Sequence, residues 1–216
     1  MTQSTTAWLA TGVHMAWLGD DVVVLDVRSD AYSCIVDGGR HIHPSPWGLD
    51  AVEFVDERIE DLVEAGLATV VRPDDRRRHA PRPTRSTVPE RHEGFGPALR
   101  AGLASLEAGL RFRRLSLEAV VRPEPLRETS GSDRSQSPED LAAAFLTALP
   151  WIPAQGQCLQ RAFALRRLLA RDGIKADWVF GVRTWPFLAH CWLQIDDLLL
   201  ADDLDRVRGF TPILTT

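Results

Sequence analysis

Apolar positions change their period along this chain, and the changes mark its parts. Val13 to Leu18, Val22 to Val27 and Ala31 to Val36 are short apolar runs rich in β-branched residues, separated by Gly19-Asp20-Asp21 and Ser29-Asp30. Runs of that length bounded by Gly and Asp predict strands joined by tight turns, here a three-stranded antiparallel meander. Gly38 to Gly48, rich in Gly, Pro and His, is expected to be a loop. From Leu49 to Leu67 the apolar residues Val52, Val55, Ile59, Leu62, Val63 and Leu67 recur at helical spacing, and Ala68 to Val71 could add a short strand.

Residues 72–97 break both periods. They hold Pro73, Pro81, Pro83, Pro89 and Pro97 and the run Arg76-Arg77-Arg78 among acidic neighbours. So few apolar positions predict a solvated connector rather than a core, and the arginines are expected to be solvated with it rather than to bind an anion. Residues 98–121 return to a helical period through Leu99, Leu103, Leu106, Leu110, Leu115 and Leu117. The polar stretch Pro123 to Ser137 is expected to be a loop. Ser137-Pro138-Glu139-Asp140 then has the form of a helix start, Ser137 as N-cap and Pro138 in the first turn, for a helix ending near Leu149-Pro150.

The last sixty residues carry the candidate chemistry. After the loop Pro153 to Gln157, Cys158 opens an amphipathic helix, Leu159 to Arg171, with Leu159, Phe163, Leu165, Leu168 and Leu169 as its apolar side and Gly173 as its stop. Three strands follow: Ala176 to Arg183, Ala189 to Ile195 and Leu198 to Ala201, with Asp196-Asp197 as a hairpin turn. A thiol at a helix N-terminus feels the positive end of the macrodipole, which favours the nucleophilic thiolate. Antiparallel strands packed on that helix would bring His190 to Cys158, and the strand end would bring a carboxylate to His190. The order is nucleophile, base, orienter. Asp202 is the expected orienter; Asp203 and Asp205 compete with it, and strand alternation allows only one of Asp202 and Asp203 to face His190. Cys34 and Cys191 lie in apolar strands and read as small core residues. The remaining histidines have no comparable context.

Composition narrows the field. The chain has 216 residues, 44% hydrophobic and 25% charged, and a net charge of −5. An acidic balance without a basic helix speaks against nucleic acid as partner. Three cysteines without a C-x-x-C pair indicate neither a zinc ribbon nor a disulfide framework, and suggest a reducing compartment. No apolar run spans a membrane, and the first twelve residues lack a signal-peptide pattern; a cytoplasmic protein is expected.

Cys158-Leu159-Gln160-Arg161-Ala162-Phe163-Ala164-Leu165, Gly173-Ile174-Lys175-Ala176, Gly181-Val182-Arg183, Pro186-Phe187, Ala189-His190-Cys191-Trp192 and Ala201-Asp202 together resemble the transglutaminase-like cysteine peptidases of lasso peptide biosynthesis, the B proteins or leader peptidases. Residues 21–32 are similar to the strand–turn–strand of the precursor-peptide recognition element fused ahead of many such peptidases. The resemblance implies an α+β chain in three parts. Residues 1–71 would be a winged-helix-like recognition element, a three-stranded antiparallel sheet plus helices; 72–97 a linker; and 98–216 a papain/transglutaminase-like peptidase. It implies a Cys158–His190–Asp202 triad, with the Cys158 N–H as oxyanion donor. It implies a leader strand laid along Ala31 to Val36, touching Tyr32, Cys34 and Leu62 or Val63. The implied partners are the leader of a lasso precursor and an asparagine-synthetase-like cyclase. ATP belongs to the cyclase; no cofactor and no metal is expected on this chain, which has no phosphate-binding Gly loop. The sequence departs from the family at Gln160, at Ala162-Phe163, and at Cys191, where many relatives have alanine. Two other functions share the residues: an acyltransferase of the transglutaminase type, and a non-catalytic module that delivers precursor. A DNA-binding winged helix fits the charge poorly.

Overall fold

A computed structural model describes residues 5–54, 59–74, 77–87, 95–127, 136–151 and 158–216. The class is α+β. The chain divides into two compact units: residues up to 79 with Val182–Leu188 and Thr211–Thr215, and Ala80–Gly181 with Ala189–Phe210 and Thr216.

In the first unit the expected meander is present as β2 (Val13–Leu18), β3 (Asp21–Asp26) and β4 (Ala31–Ile35), in the order β2-β3-β4. Leu18 pairs with Asp21, leaving a two-residue turn in which Gly19 takes φ +64°, a value that suits glycine. The rest of this unit departs from the sequence reading. A strand β1 (Thr5–Leu9) precedes the meander, and β5 (Ile42–Pro44) lies in the expected loop. The expected helix over Leu49–Leu67 is α1 (Ile59–Glu64) alone, because β6 (Ala51–Phe54) takes its first part and Val55 lies outside the described residues. Val52 and Phe54 are buried and Glu53 is not, a period of two that the i, i+3 spacing of Val52 and Val55 concealed. With β7 (Ala68–Thr69) these strands form a second sheet, β5-β6-β1-β7. Ala7, Leu9, Val13, Val22, Val24, Val52, Phe54 and Leu62 meet in one core.

His14 is buried beside this core. Burial, then the charge of Arg77, lowers its pKa to about 3, so the ring is neutral. Arg77 itself donates to the carbonyls of Ala10 (3.0 Å) and Leu9 (3.4 Å), so this member of the arginine run is tied down rather than solvated. Tip residues 182–188 belong to the same unit: Trp185 Nε1 donates to Asp21 at 3.0 Å, and the Phe187 ring lies 5.6 Å from that of Tyr32.

Among the described residues the second unit has five α-helices and four strands. Its helices are α2 (Phe95–Phe112), α3 (Leu117–Val121), α4 (Pro138–Ala148), α5 (Cys158–Arg171) and α6 (Leu204–Arg208). The single helix expected over 98–121 is split between α2 and α3, and Ser116 caps the second piece by accepting from the Ala119 N–H. The orientation of α2 also corrects the reading. Leu99, Leu103, Leu106 and Leu110 are exposed, while Ala101, Ala104 and Ala108 are buried. Small side chains let α2 approach α4 and α5 closely; the leucines were too large for that face. At α4 the expectation holds: Ser137 and Asp140 form a reciprocal capping box, with Pro138 in the first turn. Much of the expected 123–137 loop lies outside the described residues.

Helix α5 is central rather than amphipathic, buried continuously from Ala162 to Ala170. Its two buried arginines are partnered at their outer nitrogens: Arg166 donates to the Arg122 carbonyl (2.8 Å), and Arg167 pairs with Glu124 while its Nε is left without an acceptor among the described residues. Gly173 at φ +70° ends it, as expected, with Ile174 N–H returning to the Leu169 carbonyl.

The strands β8 (Arg85–Ser86), β9 (Asp177–Arg183), β10 (Leu188–Ile195) and β11 (Leu198–Leu200) follow the order β9-β10-β11-β8, and β12 (Thr211–Thr215) falls in the first unit. Sequence anticipated β9 to β11 but neither α6 nor β12. Residues 80–87, assigned to the connector on composition, run beside β11: β8 pairs with it in parallel, and buried Gln194 donates to the Pro81 carbonyl at 2.7 Å.

Gly181 on β9 sits under Trp192. A Cβ there would lie 2.7 Å from Trp192 Cζ3 and 2.9 Å from Phe210 Cβ. Gly181→Ala is expected to destabilise the fold by about 1–3 kcal/mol, the usual cost of overpacking. Gly209→Ala, whose Cβ would meet only a carbonyl oxygen at 3.5 Å, is the matched control. Equal denaturation midpoints for the two variants would contradict this packing.

Candidate functional site

Cys158 is the first residue of α5, and His190 is the third of β10. The structure sets them close enough for each to shift the other's pKa. His190 Nε2 is 2.7 Å from Asp202 Oδ2, which leaves Nδ1 for the sulfur. His190 and Asp202 side chains are 10% and 15% exposed, so the pair is sheltered but reachable. The rings of Phe210 and Trp192, with centroids 5.4 and 6.2 Å from the imidazole, flank it.

The competition among the aspartates is resolved by backbone geometry. Leu193 pairs with Leu200 and Ile195 with Leu198. Continuing that register would set Asp203, not Asp202, opposite His190. The ladder stops instead at Leu200, because Ala201 adopts φ +54° and turns the chain off the strand. Asp202 thereby reaches His190, and its other oxygen accepts the Asp203 N–H at 2.8 Å. Asp203 becomes the N-cap of α6, accepting from the N–H groups of Asp205 and Arg206. Asp205 lies in that helix and pairs with Arg208.

Sequence reasoning missed what holds this bend. A left-handed alanine costs about 1–2 kcal/mol, and buried Thr87 offsets it by accepting the Ala201 N–H at 3.0 Å. Ser86 donates to the Asp202 carbonyl at 3.2 Å. Both come from the Pro-rich stretch, whose composition gave no hint of a partner more than a hundred residues away.

Cys191 was read as core, and it is buried, but its thiol also bears on the ionisation of Cys158. Its position next to His190 was the available signal. That thiol's hydrogen bond is the largest influence lowering the Cys158 pKa from 9.0 to about 4; burial opposes it, and His190 and the Cys191 N–H add to it. The Cys191 thiol is pushed well above 9.0, first by its bond to Cys158 and then by burial, so it is the donor. For His190, burial is the largest influence and favours the neutral ring. The hydrogen bonds to Asp202 and Cys158 and their charges outweigh it and raise the pKa from 6.5 to about 9. Between about pH 4 and pH 9 the resting pair is therefore thiolate and imidazolium.

The sequence-derived leader contacts lie in the first unit. Tyr32 and Cys34 are half-buried on alternate positions of β4; Val63 is exposed, and Leu62 belongs to the core. Burial and the charge of Asp21 raise the Cys34 pKa, which makes it a poor nucleophile. Among the described residues no three His, Cys, Asp or Glu side chains are gathered to hold a metal, and no helix is long and apolar enough to cross a membrane.

A cysteine at a helix N-terminus, a histidine on β10 and a carboxylate bonded to that histidine make an arrangement suited to nucleophilic chemistry. Residues 102–215, just over half of the chain, match the model of the transglutaminase-like superfamily, and the chain belongs to that superfamily. It is also similar to the microcin J25-processing protein McjB of Escherichia coli, 38% identical over 48 residues, 22% of this chain and 23% of that protein. The matched stretch thus spans less than a quarter of either protein. No solved structure matches.

Two measurements follow from this geometry. Cys158 should alkylate with iodoacetamide at nearly the same rate at pH 6 as at pH 8, whereas an ordinary thiol slows about a hundredfold. Peptide mapping supplies Cys34 as the internal control, and parallel slowing of both would refute the ion pair. Thr87→Val removes the acceptor of a buried N–H, at a cost of about 1–3 kcal/mol. It should also lower the His190 pKa toward 6.5 in an NMR titration, while Thr87→Ser retains the raised value. A loss of stability with the titration unmoved would limit Thr87 to a structural role.

Proposed function

We propose that this chain is a cysteine peptidase that cuts the leader from a ribosomally made lasso precursor before cyclisation. The observation that carries the proposal is the His190–Asp202 bond of 2.7 Å, with Cys158 at the start of α5 acting on the same ring. The Cys158 thiolate attacks the scissile carbonyl carbon, and the C=O pair moves onto oxygen, toward the Cys158 N–H at the start of α5. Collapse of that adduct breaks the C–N bond, and the His190 proton goes to the departing amine. Water, deprotonated by His190, then releases the acyl group as a carboxylate. Asp202 fixes the ring so that Nδ1 faces the sulfur throughout.

Similarity to a microcin-processing protein supports the substrate class. The first unit supports a recognition role. Strand β4 ends the order β2-β3-β4, so an extended leader could add to its outer edge, with Tyr32 and Cys34 contributing side-chain selectivity beside Val63. Here α1 is the sole α-helix among the described residues of 5–79, beside one 3-10 turn at Gly38–Arg40, so the winged-helix-like description rests on the meander and this one α-helix. The freed core would pass to an asparagine-synthetase-like cyclase, which is where ATP would act.

Incubating a precursor with the protein and following its mass tests the proposal. Wild type should release the leader, and Cys158→Ala should slow release at least about 1,000-fold while still binding the leader in a titration. Cleavage by Cys158→Ala at the wild-type rate would rule out the thiol as nucleophile.

A further inference from the structure

The two faces of the meander are occupied differently. Val22, Val24 and Ile35 share one face by their register and pack with Leu62. Val23 pairs with Cys34 and Leu25 with Tyr32, so these four share the other face with Asp21. The loop from β9 to β10 meets this second face at two points, all within the first unit. Trp185 Nε1 donates to Asp21 at 3.0 Å, and the Phe187 ring lies 5.6 Å from that of Tyr32 at 55°. The Asp21 carboxylate is itself held, its other oxygen accepting the Asp37 N–H at 3.1 Å. Yet Trp185 is 69% exposed and Phe187 41%. An indole fixed at its N–H with its ring in solvent is a preorganised apolar surface. Tyr32 lies on β4, the end strand of its sheet, so main-chain donors and acceptors stand beside these rings.

We propose that Trp185 and Phe187 are specificity-determining residues, which with Tyr32 seat one aromatic or bulky aliphatic side chain of the peptide that adds to β4. An open strand edge beside fixed rings recognises an extended peptide: the edge supplies hydrogen bonds, and the rings select a side chain. A helix could use the rings but not the edge. In an added strand, alternate side chains turn to the Tyr32 face at intervals of about 7 Å. The rings therefore choose at one of those positions and leave the intervening ones free. The inference rests on the reading of β4 as the leader-binding strand and deepens it. The selecting side chains come from the β9–β10 loop, outside residues 1–71, and that loop leads into the strand that carries His190.

The test uses full-length Cys158→Ala, which leaves bound peptides uncut, panned against a library of displayed random peptides. Enriched sequences are expected to share one position held by Phe, Tyr, Trp, Leu or Ile. A synthetic peptide of the enriched sequence should bind at least about tenfold more weakly once Trp185→Ala or Phe187→Ala is added. Libraries panned on those variants should lose the shared apolar position, a change of preference that a general loss of stability would not produce. Trp47→Ala, at another exposed tryptophan of the first unit, should alter neither result. Phe187→Leu, which keeps an apolar side chain beside Tyr32, serves if the alanine variant does not fold. Three results would overturn the proposal: no shared apolar position, one that survives both substitutions, or a dimer of the full chain that Trp185→Ala breaks up. The readout needs no cleavage, so it can fail while Cys158-dependent release of the leader stands, and the reverse.

Discussion

The site depends on one backbone torsion. Strands β10 and β11 pair in a register that, continued, would place Asp203 across from His190 and turn Asp202 to the face of Cys191. Ala201 at φ +54° ends that register one residue early. The hairpin cannot make this bend alone, because an alanine in the left-handed region is unfavourable and its N–H leaves the ladder. Thr87 accepts that N–H, and Ser86 holds the next carbonyl. A segment far away in sequence thus decides which carboxylate meets the imidazole.

The same division between local and distant causes explains what could be read from the sequence. The meander, the Ser137 cap, the start of α5 at Cys158 and the β9–β11 strands are set by nearby residues: turn glycines, capping side chains, β-branched runs. All of them were legible. Strand β6 was not, because Val52 and Val55 satisfy a helical period while Val52 and Phe54 satisfy an extended one, and only pairing with β1 decides between them. The face of α2 was misread for a related reason. Leucine spacing marked one side as apolar, yet close approach to α4 and α5 selected the alanine side. The leucines at 99, 103, 106 and 110 repeat at intervals of four, three and four, and they stand in solvent.

Cys158 and His190 were found from order and context, and Asp202 was chosen over Asp203 from its place at the strand end. The register that could have decided between them points the other way until Ala201 is known. Thr87 and Ser86 left no trace in composition, since their stretch looks like a connector and their partners are carbonyl and amide groups of the backbone. Cys191 was in plain view beside His190 but was classed by its apolar strand. Burial was right, and an influence on the ionisation of Cys158 was the additional fact.

That influence adds to the account of why Cys158 ionises. Besides the helix N-terminus, the Cys191 thiol, the His190 ring and the Cys191 N–H each favour the thiolate. Stabilising a thiolate this strongly lowers its intrinsic nucleophilicity, because reactivity follows basicity with a slope of about 0.4–0.5. The gain lies on the other partner. An imidazolium held near pKa 9 already carries the proton that an amine leaving group needs. For an amide, whose C–N bond breaks only as nitrogen is protonated, a ready acid is worth more than a hotter nucleophile. The electrostatics of Cys158 and His190 thus suit a reaction that expels an amine.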